Sequence, residues 1–274
     1  SFATGSVTGD RGIGGLVGLG EGVNISASFS SGNVTGDRYV GGLLGEADSD
    51  TLAISDSYST GSVTGVDYVG GLIGFGGEAT ITNSSATGAI TGASDVGGLL
   101  GTGSEATISN SYATGAITGV SDVGGLVGEV DNPIITNSFA TGAITAVDYV
   151  GGLVGDLWGG GLIDNSYAIA LVTGYNSVGG LVGNGWHATI SNSHATGAIT
   201  GDSNIGGLVG DADSSIISDS FATSSVNSIG DDVGGLAGYG LYATISNSYA
   251  TGSVTGDDDV GGLVGNGYGV TISE

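Results

Sequence analysis

The feature that most constrains the fold is a repeat unit that recurs ten times in 274 residues, at intervals of 27 to 29 residues. Each unit reads approximately S-Y-A-T-G-A-V-T-G-x-x-D-V-G-G-L-V-G-x-x-x-A-T-I-S-N. A repeat of this length is typical of solenoids, in which each unit buries its apolar face only against its neighbours. No linker or change of composition separates the units, so we expect a single repeat domain over residues 1–274. The units begin near Ser1, Ser28, Ser57, Ser84, Ser111, Ser138, Ser166, Ser193, Ser220 and Ser248.

The residue types within a unit favour strands over helices. Gly, of which there are 60, is a poor helix former, whereas Val, Ile and Thr favour strands. Three strand candidates lie at 5–9, 13–18 and 23–26 of the first unit. The fold class predicted is all-β: a parallel β-solenoid, or β-helix, of ten coils with about 27 residues and about three short strands per coil. At about 4.8 Å per coil, the ten coils would form a rod roughly 48 Å long.

Three rows of apolar, mainly β-branched residues recur at fixed positions and predict the core. Small residues recur at the positions of Ala3 and Gly5, which indicates a thin interior there. The three core rows begin at Val7, Ile13 and Ile25 and end at Val254, Val260 and Ile272.

Two corners of the coil carry recurring polar or aromatic residues. Asn or Asp recurs just before the unit boundary, as at Asn83, and such side chains can hydrogen-bond from coil to coil. After each boundary Ser comes Phe or Tyr in eight of ten units, with Ser85 and His194 as the exceptions, which predicts an aromatic stack at this bend. Extra residues near Asp48, Gly159 and Gly230 are expected at corners, where insertion is tolerated.

The composition excludes several classes of partner. Only two residues are basic and 27 are acidic, giving a net charge of -25, so we expect neither nucleic-acid binding nor attraction to anionic membranes. The chain has no Cys for disulfides or thiolate chemistry and no apolar run of membrane-spanning length. It begins at Ser1 without a signal peptide, which predicts a mature or excised segment.

A Gly-Gly-Leu-φ-Gly tract, where φ is apolar, occurs in all ten units, from 14–18 and 41–45 to 261–265. The chain resembles the GLUG-motif repeat, named for Gly-Leu-hydrophobic-Gly, over its whole length. That family occurs in large bacterial surface proteins, including adhesins and surface-anchored peptidases. The resemblance therefore implies an extracellular or cell-surface β-solenoid. It implies no catalytic activity, because the peptidases carry theirs in a separate domain and this chain has no H-E-x-x-H motif.

The direction of the Leu side chain within this tract is open from the sequence. Strict alternation from an inward Ile13 would place Leu16 outside, and ten such residues would form an exposed apolar stripe of the kind that marks contacts. A bend at Gly14 and Gly15 would instead turn Leu16 inward. We expect the bend.

Candidate catalytic or metal-binding residues are of two kinds: two histidines, and aspartates that recur in most units. His187 and His194, seven residues apart, are a weak metal signal and are expected at corners. Acidic residues recur at a similar point of each unit, either as turns fanned into water or as ligands that bind Ca²⁺ between coils, since hard cations prefer carboxylate and carbonyl oxygens. These candidate ligands are Asp10, Asp37, Asp67, Asp95, Asp122, Asp148, Asp202, Asp232 and Asp259. No other cofactor is expected.

An alternative function lies in the first strand of each unit. If Val7 points inward, Thr4 and Thr8 point outward, and a flat grid of Thr on a rigid solenoid is what several ice-binding proteins present. Thr is also simply a good residue for an exposed strand. Substitutions at Ser31, Asn33, Ile169, Leu171 and Asn227 interrupt the grid.

The two ends of the chain match each other as well as neighbouring units do, with no polar cap. Glu274 occupies the position that precedes Ser1 in the repeat. We therefore predict a non-enzymatic structural protein of an extracellular filament or adhesin stalk. Its copies would stack head to tail through Val7, Ile13, Ile25, Val254, Val260, Ile272 and Glu274, in an open filament. Lateral bundling and an unidentified surface receptor are further possible partners. A Ca²⁺-stabilised adhesin segment is a second alternative function. A segment cut from a longer covalent array would have matching ends of the same kind. The sequence leaves open whether Asn24, Asn33 and Asn83 carry glycans.

Overall fold

The computed structural model describes residues 1–47 and 52–274 and shows an all-β parallel solenoid of ten coils. Each coil contributes one strand to each of five ten-stranded sheets. This confirms the predicted fold class and adds detail, because a coil has five very short strands where the sequence suggested about three. The described residues include no helix, and so none that could cross a membrane. The proposed insertion at Asp48 lies outside the described residues.

The first two sheets contain the beginning of each repeat unit. Sheet 1 comprises Phe2–Ala3, Phe29–Ser30, Tyr58–Ser59, Ser85–Ala86, Tyr112–Ala113, Phe139–Ala140, Tyr167–Ile169, His194–Thr196, Phe221–Ala222 and Tyr249–Ala250. Sheet 2 comprises Val7–Thr8, Val34–Thr35, Val63–Thr64, Ile90–Thr91, Ile117–Thr118, Ile144–Thr145, Val172–Thr173, Ile199–Gly201, Val226–Ser228 and Val254–Thr255.

The Gly-Gly-Leu tract lies where the next two sheets meet. Sheet 3 comprises Arg11–Gly14, Arg38–Gly41, Asp67–Gly70, Ser94–Gly97, Ser121–Gly124, Asp148–Gly151, Asn176–Gly179, Ser203–Gly206, Val233–Gly234 and Val260–Gly261. Sheet 4 comprises Val17–Gly20, Leu44–Ala47, Ile73–Gly76, Leu100–Ser104, Val127–Asp131, Val154–Trp158, Val182–Gly185, Val209–Asp211, Ala237–Leu241 and Val264–Tyr268.

The last sheet closes each coil before the next boundary Ser. Sheet 5 comprises Asn24–Ser26, Leu52–Ser55, Ala79–Thr82, Thr107–Ser109, Ile134–Thr136, Leu162–Asp164, Thr189–Ser191, Ile216–Ser218, Thr244–Ser246 and Thr271–Ser273. All pairings are parallel and keep equivalent residues opposite each other, as in Ile81 opposite Ile108. The extra residues at Gly159 lie between sheets 4 and 5, and those at Gly230 lie between sheets 2 and 3, both at corners as expected.

In the eight coils between the two end coils, the Leu of the Gly-Gly-Leu tract points into the core. Leu43, Leu72, Leu99 and Leu126 are fully buried, and so is the following apolar residue, as at Val127. Two consecutive residues can both face inward only if the chain bends, and a bend separates sheet 3 from sheet 4 at this point. The expected bend is therefore confirmed, and Leu16 packs against the core of the first coil.

The interior has two apolar columns that run along the rod. One contains the Val7 and Ile13 rows, and the other contains the Leu16 and Ile25 rows with the small residues of the Ala3 row. Glycine backbones separate them. A Cβ at Gly98 would lie 2.6 Å from Ala113 Cβ and even closer to the oxygen of Gly125, so this position has no room for a side chain.

The boundary Ser residues form a buried ladder that the repeat pattern did not reveal by itself. The amide of Ser84 donates to Ser111 Oγ at 3.1 Å, and Ser111 Oγ donates to the carbonyl of Ser109 at 2.8 Å. Equivalent pairs run from Ser28 to Ser248. Since a buried amide without a partner is costly, this ladder explains a Ser at the boundary of every unit.

The expected aromatic stack is present beside this ladder. Phe2, Phe29 and Tyr58 stack with ring centroids 5.0–5.1 Å apart, and a second stack runs from Tyr112 to Tyr249. Ser85, one of the two exceptions, separates the two stacks, whereas His194, the other, continues the second stack.

Candidate functional site

The C-terminal end of the rod exposes apolar residues that are buried in the coil before it. Val260 is 44% exposed, whereas its neighbour Val233 is fully buried. Ile272 is 54% exposed, whereas Ile245 is 1% exposed. Val254 is half-buried and Glu274 is exposed. Three of the predicted assembly residues therefore present an open end of the apolar core.

The N-terminal end is open in the same way. Val7 and Ile13 are half-buried, although their equivalents inside the rod are buried. A cavity of about 410 Å³ opens here, lined in part by Leu16, Val17 and Ile25. Ile25 itself is 7% exposed, so it forms the floor of this opening more than its rim.

The two ends carry opposite charge on the same side of the coil. Arg11 lies in the first coil, two residues before Ile13, and its guanidinium donates to Glu46 at 2.8 Å. Asp258 lies in the last coil, two residues before Val260, and its carboxylate is grouped with those of Asp231 and Asp257 within 4.8 Å. At the equivalent point of the coil, the N-terminal end therefore has a cationic side chain, paired with Glu46, and the C-terminal end has carboxylates.

The recurring acidic residues, expected at nearly the same point of each unit, occupy three neighbouring positions and so do not form one column. Counted back from the core residue of sheet 3, they fall at three different positions, because the strand register is set by the core residue while the corner before it varies. Three, Asp10, Asp37 and Asp202, precede the core residue by three positions; two, Asp67 and Asp148, by two; and four, Asp95, Asp122, Asp232 and Asp259, by one.

The position one before the core residue has a backbone conformation that the sequence pattern did not reveal. Asp95, Asp122, Asp232 and Asp259 have φ between 48° and 60°, and Tyr39 and Tyr68 occupy the same position in the second and third coils. Asp and Asn enter this left-handed region more readily than other residues with a Cβ. Backbone geometry therefore accounts for acids at this position without any ligand.

Several carboxyl groups lie where sheets 3 and 4 meet, and we call them the acidic face: Asp95 and Asp156, which are buried, and Asp122, Glu129 and Asp211, which are half-buried. Burial raises the pKa of Asp95 to about 8, helped by a hydrogen bond with Glu129. Burial also raises the pKa of Asp156 to about 7, that of Asp211 to about 6 and that of Asp122 above its usual range. These groups therefore hold protons at a pH where exposed carboxyl groups are charged.

Among the described residues, one group of three carboxylates has the geometry to share a cation. Asp231, Asp257 and Asp258, all exposed, bring one oxygen each within 4.8 Å of the others. Asp232 and Asp259 lie beside them in the chain and were predicted, but this group uses their neighbours. Hard cations accept such oxygen ligands, so this is where Ca²⁺ could bind in the last two coils.

The two histidines lie in separate environments, His194 in a strand of sheet 1 and His187 at a corner. His194 stacks between Tyr167 and Phe221, with centroids 5.1 and 4.7 Å away, and burial lowers its pKa. His187 lies between sheets 4 and 5 and contacts the ring of Trp186 at 4.8 Å. His194 thus substitutes for an aromatic residue in the stack.

The Thr rows considered for ice binding are mostly exposed, but they do not share one flat strand. Thr4 follows sheet 1 and Thr8 belongs to sheet 2, with a bend at Gly5 between them. Because a flat, evenly spaced grid requires one continuous surface, the bend weighs against this alternative.

The stacked coils define a β-solenoid repeat protein. The family model described as the GLUG motif matches residues 65–91, 119–145, 174–200 and 230–255. Each stretch contains one Gly-Gly-Leu tract, so the chain is a GLUG-repeat protein. No curated protein and no solved structure matches the chain.

Proposed function

We propose that this protein is a non-enzymatic structural rod of an extracellular filament or adhesin stalk, in which the C-terminal coil of one copy stacks on the N-terminal coil of the next. The observation that carries the proposal is the match between the two open ends. Val260 and Ile272 are exposed at one end, and the residues that would cover them, Ile13 and Ile25, lie at the other.

The hydrogen-bond pattern of the rod supports the same arrangement. Inside the rod, the amide of each boundary Ser donates to Oγ of the boundary Ser in the next coil, as from Ser220 to Ser248 at 3.1 Å. Ser1 of a second copy would take the next position and accept from the amide of Ser248. A stacked copy would therefore extend the ladder that stabilises every internal coil.

Charge favours this orientation over its reverse. In a head-to-tail stack, Arg11 of the second copy would lie beside Asp258, because both residues precede the core residue by two positions. If two C-terminal ends came together instead, Asp257 and Asp258 of one copy would face the same two carboxylates of the other copy. Like charges brought together in this way repel, so the contact selects head-to-tail growth.

One glycine offers a direct test of the stacking. The second Gly of each tract has no room for a Cβ inside the rod, but a Cβ at Gly262 in the last coil would meet nothing within 4 Å. A Gly262→Ala substitution therefore leaves the isolated rod intact and places a methyl group where the next coil would pack. We expect unsubstituted residues 1–274 to form longer particles as concentration rises in sedimentation velocity and electron microscopy, and G262A to remain monomeric with unchanged thermal stability.

A matched variant separates the interface effect from a general effect of Ala. Among the described residues, a Cβ at Gly77, in the third coil and away from both end coils, would meet only Ser104 Oγ at 4.0 Å, so G77A should elongate like the unsubstituted chain. The stacking proposal is wrong if the unsubstituted chain stays monomeric at high concentration or if G262A still forms long fibres.

The extracellular location has a separate test. Antibody raised against residues 1–274 should label intact cells of the source organism, and mild external protease should remove the label. Label that appears only after the cells are broken open would contradict a surface location.

A further inference from the structure

The two Trp residues of the chain lie side by side on the rod. Trp158 and Trp186 are the only tryptophans in the sequence and occupy adjacent positions at the end of sheet 4 in the sixth and seventh coils. Their rings meet edge to face with centroids 5.6 Å apart. They are 44% and 38% exposed, so both present aromatic surface to solvent.

Carboxylates flank this pair along the rod. Asp131 lies opposite Trp158 in the preceding coil. Asp213 lies in the coil after Trp186, where its carbonyl accepts from the amide of His187 at 2.9 Å. The two rings, together with Asn184, Asp211 and Asp213, line a cavity of about 200 Å³.

A buried carboxylate holds one wall of the cavity in place. Asp156 accepts from the indole Nε1 of Trp158 at 2.6 Å and from Nδ2 of Asn184 at 2.9 Å. Both neighbours are thereby fixed before any ligand arrives. Asp156 itself is 4% exposed, so its own oxygens are not available to solvent.

The opposite wall contains a carboxylate oxygen without a protein partner. Oδ1 of Asp211 is buried and accepts no hydrogen bond from any of the described residues. The only two basic residues of the chain, Arg11 and Arg38, lie in the first two coils and so far from this cavity along the rod. Burial, followed by the charge of Asp213, raises the pKa of Asp211 to about 6, as expected for a carboxylate without a counter-charge.

We propose that this cavity, which we call the tryptophan pocket, binds a small organic cation through its alkylammonium head group. Aromatic faces attract weakly hydrated cations, and neighbouring carboxylates add charge attraction. A hard cation such as Ca²⁺ is a poorer fit, because it needs about six to eight oxygen ligands and the rings supply none. The volume suits a head group and not a large ligand.

Tryptophan fluorescence gives a specific assay, because both tryptophans of the chain line the pocket. Tetramethylammonium chloride is titrated against NaCl at constant total chloride. We expect a saturable change in emission with tetramethylammonium and none with NaCl. In the double variant D211N/D213N, binding should weaken about tenfold or more, because both charges of the pocket are lost. D10N/D37N, which removes the same charge from exposed sites in the first two coils, should bind like the unsubstituted protein.

Further ligands test the chemistry and the source of the cation. The neutral isostere 3,3-dimethyl-1-butanol should bind much more weakly than choline; equal binding would show that charge plays no part and would overturn the proposal. Choline and Nα-acetyl-lysine amide, compared in ligand-observed NMR, distinguish a free ammonium from a lysine side chain of another protein, and the tighter of the two identifies the source. Failure of both ligands to bind, binding of glucose in their place, or unchanged binding in D211N/D213N would also overturn it.

Discussion

The second glycine of the Gly-Gly-Leu tract is the position where one added methyl group should destabilise the rod most. A Cβ at Gly125, in the fifth coil, would lie 2.6 Å from Ala140 Cβ and even closer to the carbonyl oxygen of Gly152. One of these neighbours is backbone of the next coil and the other is attached directly to backbone. Neither can rotate away, so a Gly125→Ala substitution must separate two stacked coils.

The magnitude follows from two opposing effects. Overpacking of a well-filled interior costs about 1–3 kcal/mol, and the upper end applies here because both contacts are with atoms that cannot move independently. Replacing Gly by Ala also restricts the unfolded chain, which returns about 0.4–1 kcal/mol. The net loss should be about 2 kcal/mol, which corresponds to a lowering of the Tm by roughly 4–8 °C for a chain of this size.

Thermal unfolding followed by far-ultraviolet circular dichroism measures this loss against two matched variants. G77A and G262A make the same change where a Cβ would meet almost none of the described atoms, so at concentrations where the unsubstituted chain is monomeric both should melt within about 1 °C of it or slightly above it. If G125A melts together with G77A and G262A, the close approach of coils is not what requires glycine in this tract, and the reasoning is refuted.

Three further predictions concern pH, cations and ice. Burial raises the pKa of Asp95 to about 8 and that of Asp156 to about 7, so the folded chain binds more protons than the unfolded chain between about pH 4 and pH 8. The Tm should therefore fall as pH rises through this range, and it should fall less steeply in D95N. A Tm that rises with pH would contradict this. If Ca²⁺ binds at Asp231, Asp257 and Asp258, chelation should lower the Tm and added Ca²⁺ should restore it, whereas an unchanged melting curve leaves these acids as solvated turns. Since a bend separates the Thr rows, we expect no thermal hysteresis or ice shaping at high protein concentration, and clear activity would restore that alternative.

Period and residue type were sufficient to predict the stacked core. Each coil buries side chains only against equivalent side chains of its neighbours, so a row of β-branched residues at one point of the repeat can only be a column in the rod. Val96, Ile117 and Ile135 are buried as their rows predicted. The inward Leu126 was also predictable, because ten exposed Leu residues in a stripe would have been a large unexplained apolar surface.

Local backbone conformation was the part that the pattern did not reveal. The Asn and Asp residues before the boundary were expected to form a ladder, and some do, as where Nδ2 of Asn83 donates to Asp56 at 3.2 Å. They share a positive φ as well, between 46° and 50° from Asp56 to Asn247. The recurrence of Asn and Asp at this position could have predicted the positive φ, since these residues tolerate the left-handed region better than β-branched residues do.

The tryptophan pocket could not be found by reading one unit at a time. Trp158 and Asp213 are separated by two coils in sequence and lie on one surface only because the register aligns them. A consensus of the repeat unit hides residues, such as these tryptophans, that differ from it in only two units. The useful signal was the departure itself, since both tryptophans of the chain occur at the same point of consecutive units.

The distribution of charge determines how such rods can associate. Most of the net charge of -25 lies along the sides, whereas the ends add apolar side chains to their charges, Arg11 at one end and the carboxylates around Asp258 at the other. Repulsion between sides reaches about 10 Å at 0.1 M salt and only about 3 Å at 1 M, while apolar contact between ends does not depend on it. We therefore expect single elongated rods at low ionic strength and lateral bundles only after salt or divalent cations screen the sides, which electron microscopy at stepped salt concentrations would show. Bundles that form at low salt while the ends remain free would mean that the sides, and not the ends, carry the association.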